Sequence, residues 1–173
     1  MCSEFDFEEA ISKALQDGTT GPLVEITGES ARSIWNLVLG TWDLLALEQI
    51  QPLRKHYAMV LLSNTNSWHE EAFTASLKES GGLGLEHYFD RVVYSHRFKM
   101  RKPDPNLFRA AVEGLTDPEG KVVPHESWLF LDDSPENLLG ASALGMQTCL
   151  HPRNTSPWLT LQSVLTNHYD RTP

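Results

Sequence analysis

Two adjacent carboxylates, Asp132 and Asp133, stand at the end of a short apolar run in the sequence. Neighbouring carboxylates repel each other, so they are most easily kept ionised beside a cation. A hard ion such as Mg²⁺ fits, because it typically takes one or two carboxylates together with waters and substrate phosphate. Helix capping is also compatible, since Asp133 or Ser134 precedes Pro135, which suits the first position of a helix. Both roles can hold at once.

Three further residues could contact an anion. Ser63 and Asn64 follow another apolar run, where a hydroxyl and free backbone N–H groups at a helix start would bind phosphate. Helix capping is the alternative, and these residues alone favour it. Lys102 precedes two prolines that flank a single Asp, and this rigid turn could hold its ammonium group against a phosphate and a carboxylate. The alternative for Lys102 is a solvated lysine in a loop.

Short apolar runs that alternate with helical patterns predict the elements that would position these residues. Strands without polar alternation, each separated by a helix, predict a parallel sheet covered on both faces. Ligands gather at the carboxyl ends of such strands, which is where the candidate residues lie. The predicted strands are 57–62, 91–95, 127–131 and 146–150, and the predicted helices are about 5–15, 29–39, 43–55, 67–78, 105–113, 135–144 and 158–165.

Composition narrows the class of protein. The chain has 173 residues, 40% of them hydrophobic and 21% charged, which is enough for one domain with a buried core. Its 14 Lys and Arg against 23 Asp and Glu give a net charge of -9 without a basic cluster, so we expect neither nucleic acid nor an anionic membrane surface as a partner. Two cysteines form no disulfide framework, and Cys149, in an apolar run, is expected in the core. Without a recognisable signal peptide or membrane span, we expect a cytoplasmic protein.

Together the motifs resemble those of the haloacid dehalogenase-like hydrolase superfamily, in its capped phosphatase branch. The resemblance covers residues 57 to about 150 and includes three of the four family motifs. Residues 61–66 are similar to the second motif, whose Ser binds the transferring phosphoryl group. Residues 101–105 are similar to the third, which steadies the nucleophile and the phosphate. Residues 130–137 are similar to the fourth, which holds Mg²⁺.

The resemblance implies a Mg²⁺-dependent phosphatase of small phosphorylated metabolites that acts through an aspartyl-phosphate. Ser63 and Asn64 would bind the phosphoryl group. Lys102 would be both a catalytic and a phosphate-binding residue, and Asp132 and Asp133 would be the metal ligands. The implied fold is α/β, a Rossmann-like parallel sheet flanked by helices, with a partial N-terminal helical cap.

The family's nucleophile lies in a first motif, an apolar strand followed by Asp-x-Asp, and no segment of this sequence matches it well. Asp6 has too few residues before it for a buried strand, and Asp17 follows a helical pattern with Leu15 at the nucleophile's place. We therefore expect residues 1–42 to form a partial helical cap segment. Residues 43–173 would form the α/β core without its first strand.

This interpretation has consequences for activity and assembly. The chain would be truncated or inactive alone, and self-association is expected through the sheet edges that the first strand would otherwise cover. Two alternatives stay open: a non-catalytic phosphate- or metal-binding protein on a degenerate scaffold, and a 2-haloacid dehalogenase-type hydrolase. The paired carboxylates suit Mg²⁺-dependent phosphoryl chemistry better than a metal-free reaction.

Overall fold

Helices and parallel strands alternate along residues 28–169, which, with Lys13, are the residues that the computed structural model describes. The α-helices are α1 Gly28–Asn36, α2 Leu44–Ile50, α3 Ser67–Glu79, α4 Ser95–Phe98, α5 Pro105–Val112, α6 Pro135–Ser142 and α7 Pro157–Tyr169. The strands are β1 Val60–Ser63, β2 Arg91–Tyr94, β3 Leu129–Asp132 and β4 Gln147–Leu150. Short 3₁₀ turns occupy Gln51–Lys55, Leu85–His87 and His125–Ser127.

The strands pair in parallel, two by two. In one pair Ser63 at the end of β1 lies opposite Tyr94 at the end of β2, and in the other Asp132 at the end of β3 lies opposite Leu150 at the end of β4. Within the described residues, β1 pairs only with β2 and β3 only with β4. The carboxyl ends of β1 and β3 therefore present Ser63 and Asp132, as the sequence predicts.

Local signals start the helices that frame the site. Pro105 and Pro135 open α5 and α6, where a residue without an N–H suits the first turn. The side chain of Asp43 accepts a hydrogen bond from Ala46 N at 2.9 Å and caps α2. The side chain of Asn66 caps α3 in the same way, accepting from His69 N at 3.0 Å.

The apolar core forms two clusters, and residues of β1 and β2 take part in both. Full burial of a Leu- or Phe-sized side chain contributes about 1.5–3 kcal/mol, so these clusters hold the strand ends in place. The first cluster packs α5 and α6 against the strands through Val93, Leu107, Phe108, Trp128, Ala141 and Met146. The second packs α2 and α3 through Leu47, Ile50, Leu77, Tyr88, Phe89 and Tyr94.

The predicted α/β fold is confirmed, and most elements begin and end within a few residues of their predicted bounds. The prediction for β4 was wrong in its burial, because Thr148 and Leu150 are exposed and Cys149 is only half-buried. Among the described residues β4 pairs only with β3. A strand at the edge of a sheet has few neighbours that could cover its side chains. The helix predicted at 5–15 lies outside the described residues except for Lys13. No described helix is long and apolar enough to cross a membrane.

Candidate functional site

The Lys102 ammonium group joins the two strand pairs. Its Nζ donates one hydrogen bond to the backbone oxygen of Leu62 on β1, at 2.9 Å, and another to Asp132 Oδ2 on β3, at 2.6 Å. Lys102 is 8% exposed and Asp132 is 9% exposed, so this ion pair is buried. The solvated loop lysine that the sequence left open as an alternative is wrong. The pair lies at the carboxyl end of β3, and ligands of parallel sheets usually bind at such strand ends.

The Asp132 carboxylate is held by three donors. Besides Lys102, Asp132 Oδ1 accepts from the backbone N–H of Ser134 at 2.9 Å and from Asn137 Nδ2 at 2.8 Å. Burial alone would raise the pKa of Asp132, but the hydrogen bonds from Lys102, Asn137 and Ser134 outweigh it and lower that pKa below its ordinary value. The carboxylate is therefore ionised at neutral pH.

The backbone of Lys102 is fixed by the side chain of Asn64. Lys102 N donates to Asn64 Oδ1 at 2.7 Å, and Asn64 Nδ2 donates to the Lys102 backbone oxygen at 3.0 Å. The peptide bond between Lys102 and Pro103 is cis. Both polar atoms of the Asn64 amide are engaged, although one Nδ2 hydrogen remains for a ligand. The phosphate-binding role of Asn64 stays a prediction.

A glycine on α6 lets that helix lie close to the turn after Lys102. A Cβ at Gly140 would come within 2.5 Å of the Pro103 backbone oxygen and 2.9 Å of Pro103 Cβ. Such distances are too short for any side chain unless the backbone moves. Gly140 therefore permits close contact between α6 and Pro103, the residue after Lys102.

Ser63 lies at the last position of β1 and is half-buried. Its hydroxyl has no hydrogen-bond partner within the part of the chain that the structure describes. The turn that follows is fixed instead by Ser95, whose Oγ donates to the Thr65 backbone oxygen at 3.1 Å and accepts from Thr65 N at 3.0 Å. The Ser63 hydroxyl thus lies at a strand end beside a fixed turn, and no hydrogen bond to a described residue occupies it.

Asp133 has a different environment from Asp132. Its side chain is 47% exposed, and its Oδ2 accepts a hydrogen bond from Arg153 Nε at 3.0 Å. Arg153 lies beyond β4, and no spacing in the sequence connects it with Asp133. Sequence reasoning missed this contact for that reason.

The donor set fits Mg²⁺. Asp132 accepts three hydrogen bonds and a carboxylate has about four lone-pair sites, so a site remains on Asp132 and more remain on Asp133. Among residues 28–169 and Lys13, no three His, Cys, Asp or Glu side chains converge as a metal cluster. Two carboxylates completed by waters and a phosphate suit Mg²⁺, which rarely uses an all-protein cage.

Comparison with known proteins gives consistent matches. The model of the haloacid dehalogenase-like hydrolase family matches residues 47–151. The chain is 31% identical over 143 residues to the D-ribitol-5-phosphate phosphatase of Bacteroides thetaiotaomicron, covering 83% of this chain and 66% of that protein. It is 28% identical over 109 residues to bifunctional epoxide hydrolase 2 of Rattus norvegicus, covering 63% of this chain and 19% of that protein. The chain thus spans less than two thirds of the length of either relative.

A similar fold occurs in a HAD-family enzyme of Bacteroides thetaiotaomicron solved in complex with magnesium and inorganic phosphate. The two structures superpose with a TM-score of 0.69 at 25% sequence identity, covering 88% of this chain and 72% of that one.

Proposed function

The chain belongs to the haloacid dehalogenase-like hydrolase family, and from this premise we propose that its site binds a small phosphorylated metabolite and Mg²⁺ as a phosphatase does. Two relatives support the proposal, because one is a D-ribitol-5-phosphate phosphatase and another was solved with magnesium and inorganic phosphate. The observation that carries it is the buried Lys102 ammonium group between Leu62 and Asp132.

Each candidate residue has a defined task in this proposal. Lys102 would pair with a phosphoryl oxygen, since a desolvated ammonium group binds a phosphate oxygen more strongly than a solvated one. The Ser63 hydroxyl, at the end of β1, would donate a second hydrogen bond to the phosphoryl group. Asp132 and Asp133 would hold Mg²⁺, which supplies charge neutralisation on the phosphoryl group. The Asn64 amide would contribute at most the one Nδ2 hydrogen that Lys102 leaves.

We infer that the isolated 173-residue chain binds phosphate without covalent turnover. Asp132 and Asp133 are the two carboxylates of the proposed site, and both would have the metal-binding role. The sequence offers no well-matched Asp-x-Asp after an apolar strand, and Asp6 and Asp17 lie outside the described residues. A nucleophile is essential to the aspartyl-phosphate route.

The test pairs a binding assay with a turnover assay. Isothermal titration of inorganic phosphate in Mg²⁺ should give binding that is lost in Ser63→Ala, with folding checked by circular dichroism. Hydrolysis of p-nitrophenyl phosphate should be absent from the wild type and from Asp133→Ala. A folded chain that binds no phosphate would contradict the site. Turnover that Asp133→Ala abolishes would contradict the inferred inactivity and direct attention to Asp6 and Asp17.

A chloride-release assay and the phosphate assays separate the two alternatives. Chloride release from 2-chloropropionate without Mg²⁺ would favour a dehalogenase-type hydrolase over a phosphatase. Phosphate binding that survives Ser63→Ala, with no turnover of any phosphate ester, would favour a degenerate binding protein.

We also propose self-association through the edges of β1 and β3, and a cytoplasmic location. Each of these strands has one strand partner among the described residues, and an unpaired ladder edge can pair with another chain. Light scattering after size exclusion at two protein concentrations tests the assembly. A monomer at both concentrations would contradict it.

A further inference from the structure

The segment that carries Lys102 has no regular structure of its own. Residues 99–104 lie between α4 and α5, outside any helix or strand, so side-chain and turn contacts must fix them. A turn bond from Asp104 N to the Arg101 backbone oxygen, at 2.8 Å, is local to the segment. The contacts from Asn64 come from a residue 38 positions away and tie the segment to the end of β1.

We propose that Asn64 is a positioning residue for Lys102. The Asn64 amide satisfies both groups of the Lys102 backbone, because its Oδ1 accepts from the N–H and its Nδ2 donates to the C=O. Two hydrogen bonds to the same residue restrict its rotation as well as its location. A role of Asn64 in catalysis rests on the proposed function, because Asn64 acts through the Lys102 ammonium group that would bind phosphate.

The two hydrogen bonds between the Asn64 amide and the Lys102 backbone, here called the clamp, explain how the buried ammonium group is kept at the site. A lysine side chain has several rotatable bonds and prefers water, so burial of Nζ costs free energy unless the backbone is held where Leu62 and Asp132 are within reach. Fixing the Lys102 backbone removes much of this freedom. Loss of the clamp should therefore expose Nζ more often.

Helix capping is not the role of Asn64. The acceptor that caps α3 is the side chain of Asn66, which bonds to His69 N at 3.0 Å. The sequence Ser63-Asn64-Thr65-Asn66 thus contains two asparagines with separate duties. Asn66→Ala serves as a matched control, since it removes a helix cap at the same turn without contacting Lys102.

The experiment measures amine labelling of Lys102 in the full chain by limiting acetic anhydride and peptide mass spectrometry. Exposed Lys121 provides the internal reference. We expect Lys102 in Asn64→Ala to label at least about fivefold faster relative to Lys121, which is the lower bound for loss of two neutral hydrogen bonds. Asn64→Asp keeps the acceptor and loses the donor, so it should fall between wild type and Asn64→Ala.

The control variant decides between positioning and general loosening of the fold. Asn66→Ala should leave the Lys102 rate at the wild-type value even where its melting temperature falls as far as that of Asn64→Ala. Equal acceleration in both asparagine variants, or an unchanged rate in folded Asn64→Ala, would overturn the proposal. The labelling rate needs no phosphate binding, so a chain that fails to bind phosphate would refute the proposed function and leave this test intact.

Discussion

Replacing Lys102 by Met would leave the Asp132 carboxylate buried without its cation. Both side chains are at most 10% exposed, and removing one partner of such a pair typically costs about 3–5 kcal/mol of unfolding free energy. We expect about 3 kcal/mol, the lower end, because Asp132 keeps the donors of Ser134 and Asn137. The Met side chain is apolar and about as long as that of Lys, so the substitution opens little space.

The loss should depend on pH in a defined direction. In the wild type the pKa of Asp132 lies below its ordinary value of 3.8, because the hydrogen bonds outweigh the upward effect of burial. The stability that ionised Asp132 contributes is therefore present above pH 3.8 and is lost as the pH falls through the lower folded-state pKa. Without Lys102 the upward effect of burial has less opposition, so the carboxylate takes up a proton at higher pH. The difference between wild type and Lys102→Met should shrink towards pH 4.

Urea unfolding at pH 7 and pH 4, followed by tryptophan fluorescence, measures both effects. The double variant Lys102→Met with Asp132→Asn carries no buried charge at this place and should regain part of the stability at pH 7. If Lys102→Met loses less than about 1 kcal/mol of unfolding free energy at pH 7, the pair of Lys102 and Asp132 is no stronger than an exposed ion pair, and the reasoning is refuted. The same loss at both pH values would refute the part that concerns Asp132.

Three other substitutions probe the surroundings of the site. Gly140→Ala would drive a methyl group into Pro103 and should lower the free energy of unfolding by about 1–3 kcal/mol. Its control, Gly40→Ala, adds a methyl group in open space and should change that free energy by no more than about 0.5 kcal/mol. Equal shifts of the two variants in thermal unfolding would contradict this. Asp43→Ala removes the N-cap of α2 and should lower the free energy of unfolding in urea by about 1 kcal/mol. An unchanged free energy of unfolding would mean that the cap does not stabilise the fold. Burial and a neighbouring carboxylate raise the pKa of Tyr94 to about 12, so Tyr94→Phe should delete the latest step of the alkaline absorbance titration, and loss of a step near pH 10 would contradict this.

The boundaries of the framework were predictable because they depend on local chemistry. Short apolar runs ended at the strand ends, and the prolines at 105 and 135 began α5 and α6 as the sequence indicates. The predicted position of Asp132 at the carboxyl end of its strand is also the position at which Lys102 contacts it. These features need only a few neighbouring residues to define them.

The partners of the candidate residues were not predictable from spacing. Asn64 and Lys102 are 38 residues apart, and the residues around Asn64 alone favour a capping role over phosphate binding. Only the folded chain shows that Asn66 caps the helix and that Asn64 holds the Lys102 backbone. The exposure of β4 was missed for a related reason, since an apolar run does not reveal whether anything covers the strand that it forms.

The different surroundings of Asp132 and Asp133 follow from where β3 ends. Asp132 is the last residue of β3 and Asp133 follows outside the strand, so the two adjacent carboxylates have different neighbours. Asp132 faces the buried ammonium group of Lys102, while Asp133 turns towards solvent and Arg153. On the proposed function, Asp132 would supply fixed charge at the site, since Lys102 and two further donors hold it. Asp133 would be the exchangeable ligand, because an exposed pair with Arg153 costs little to break.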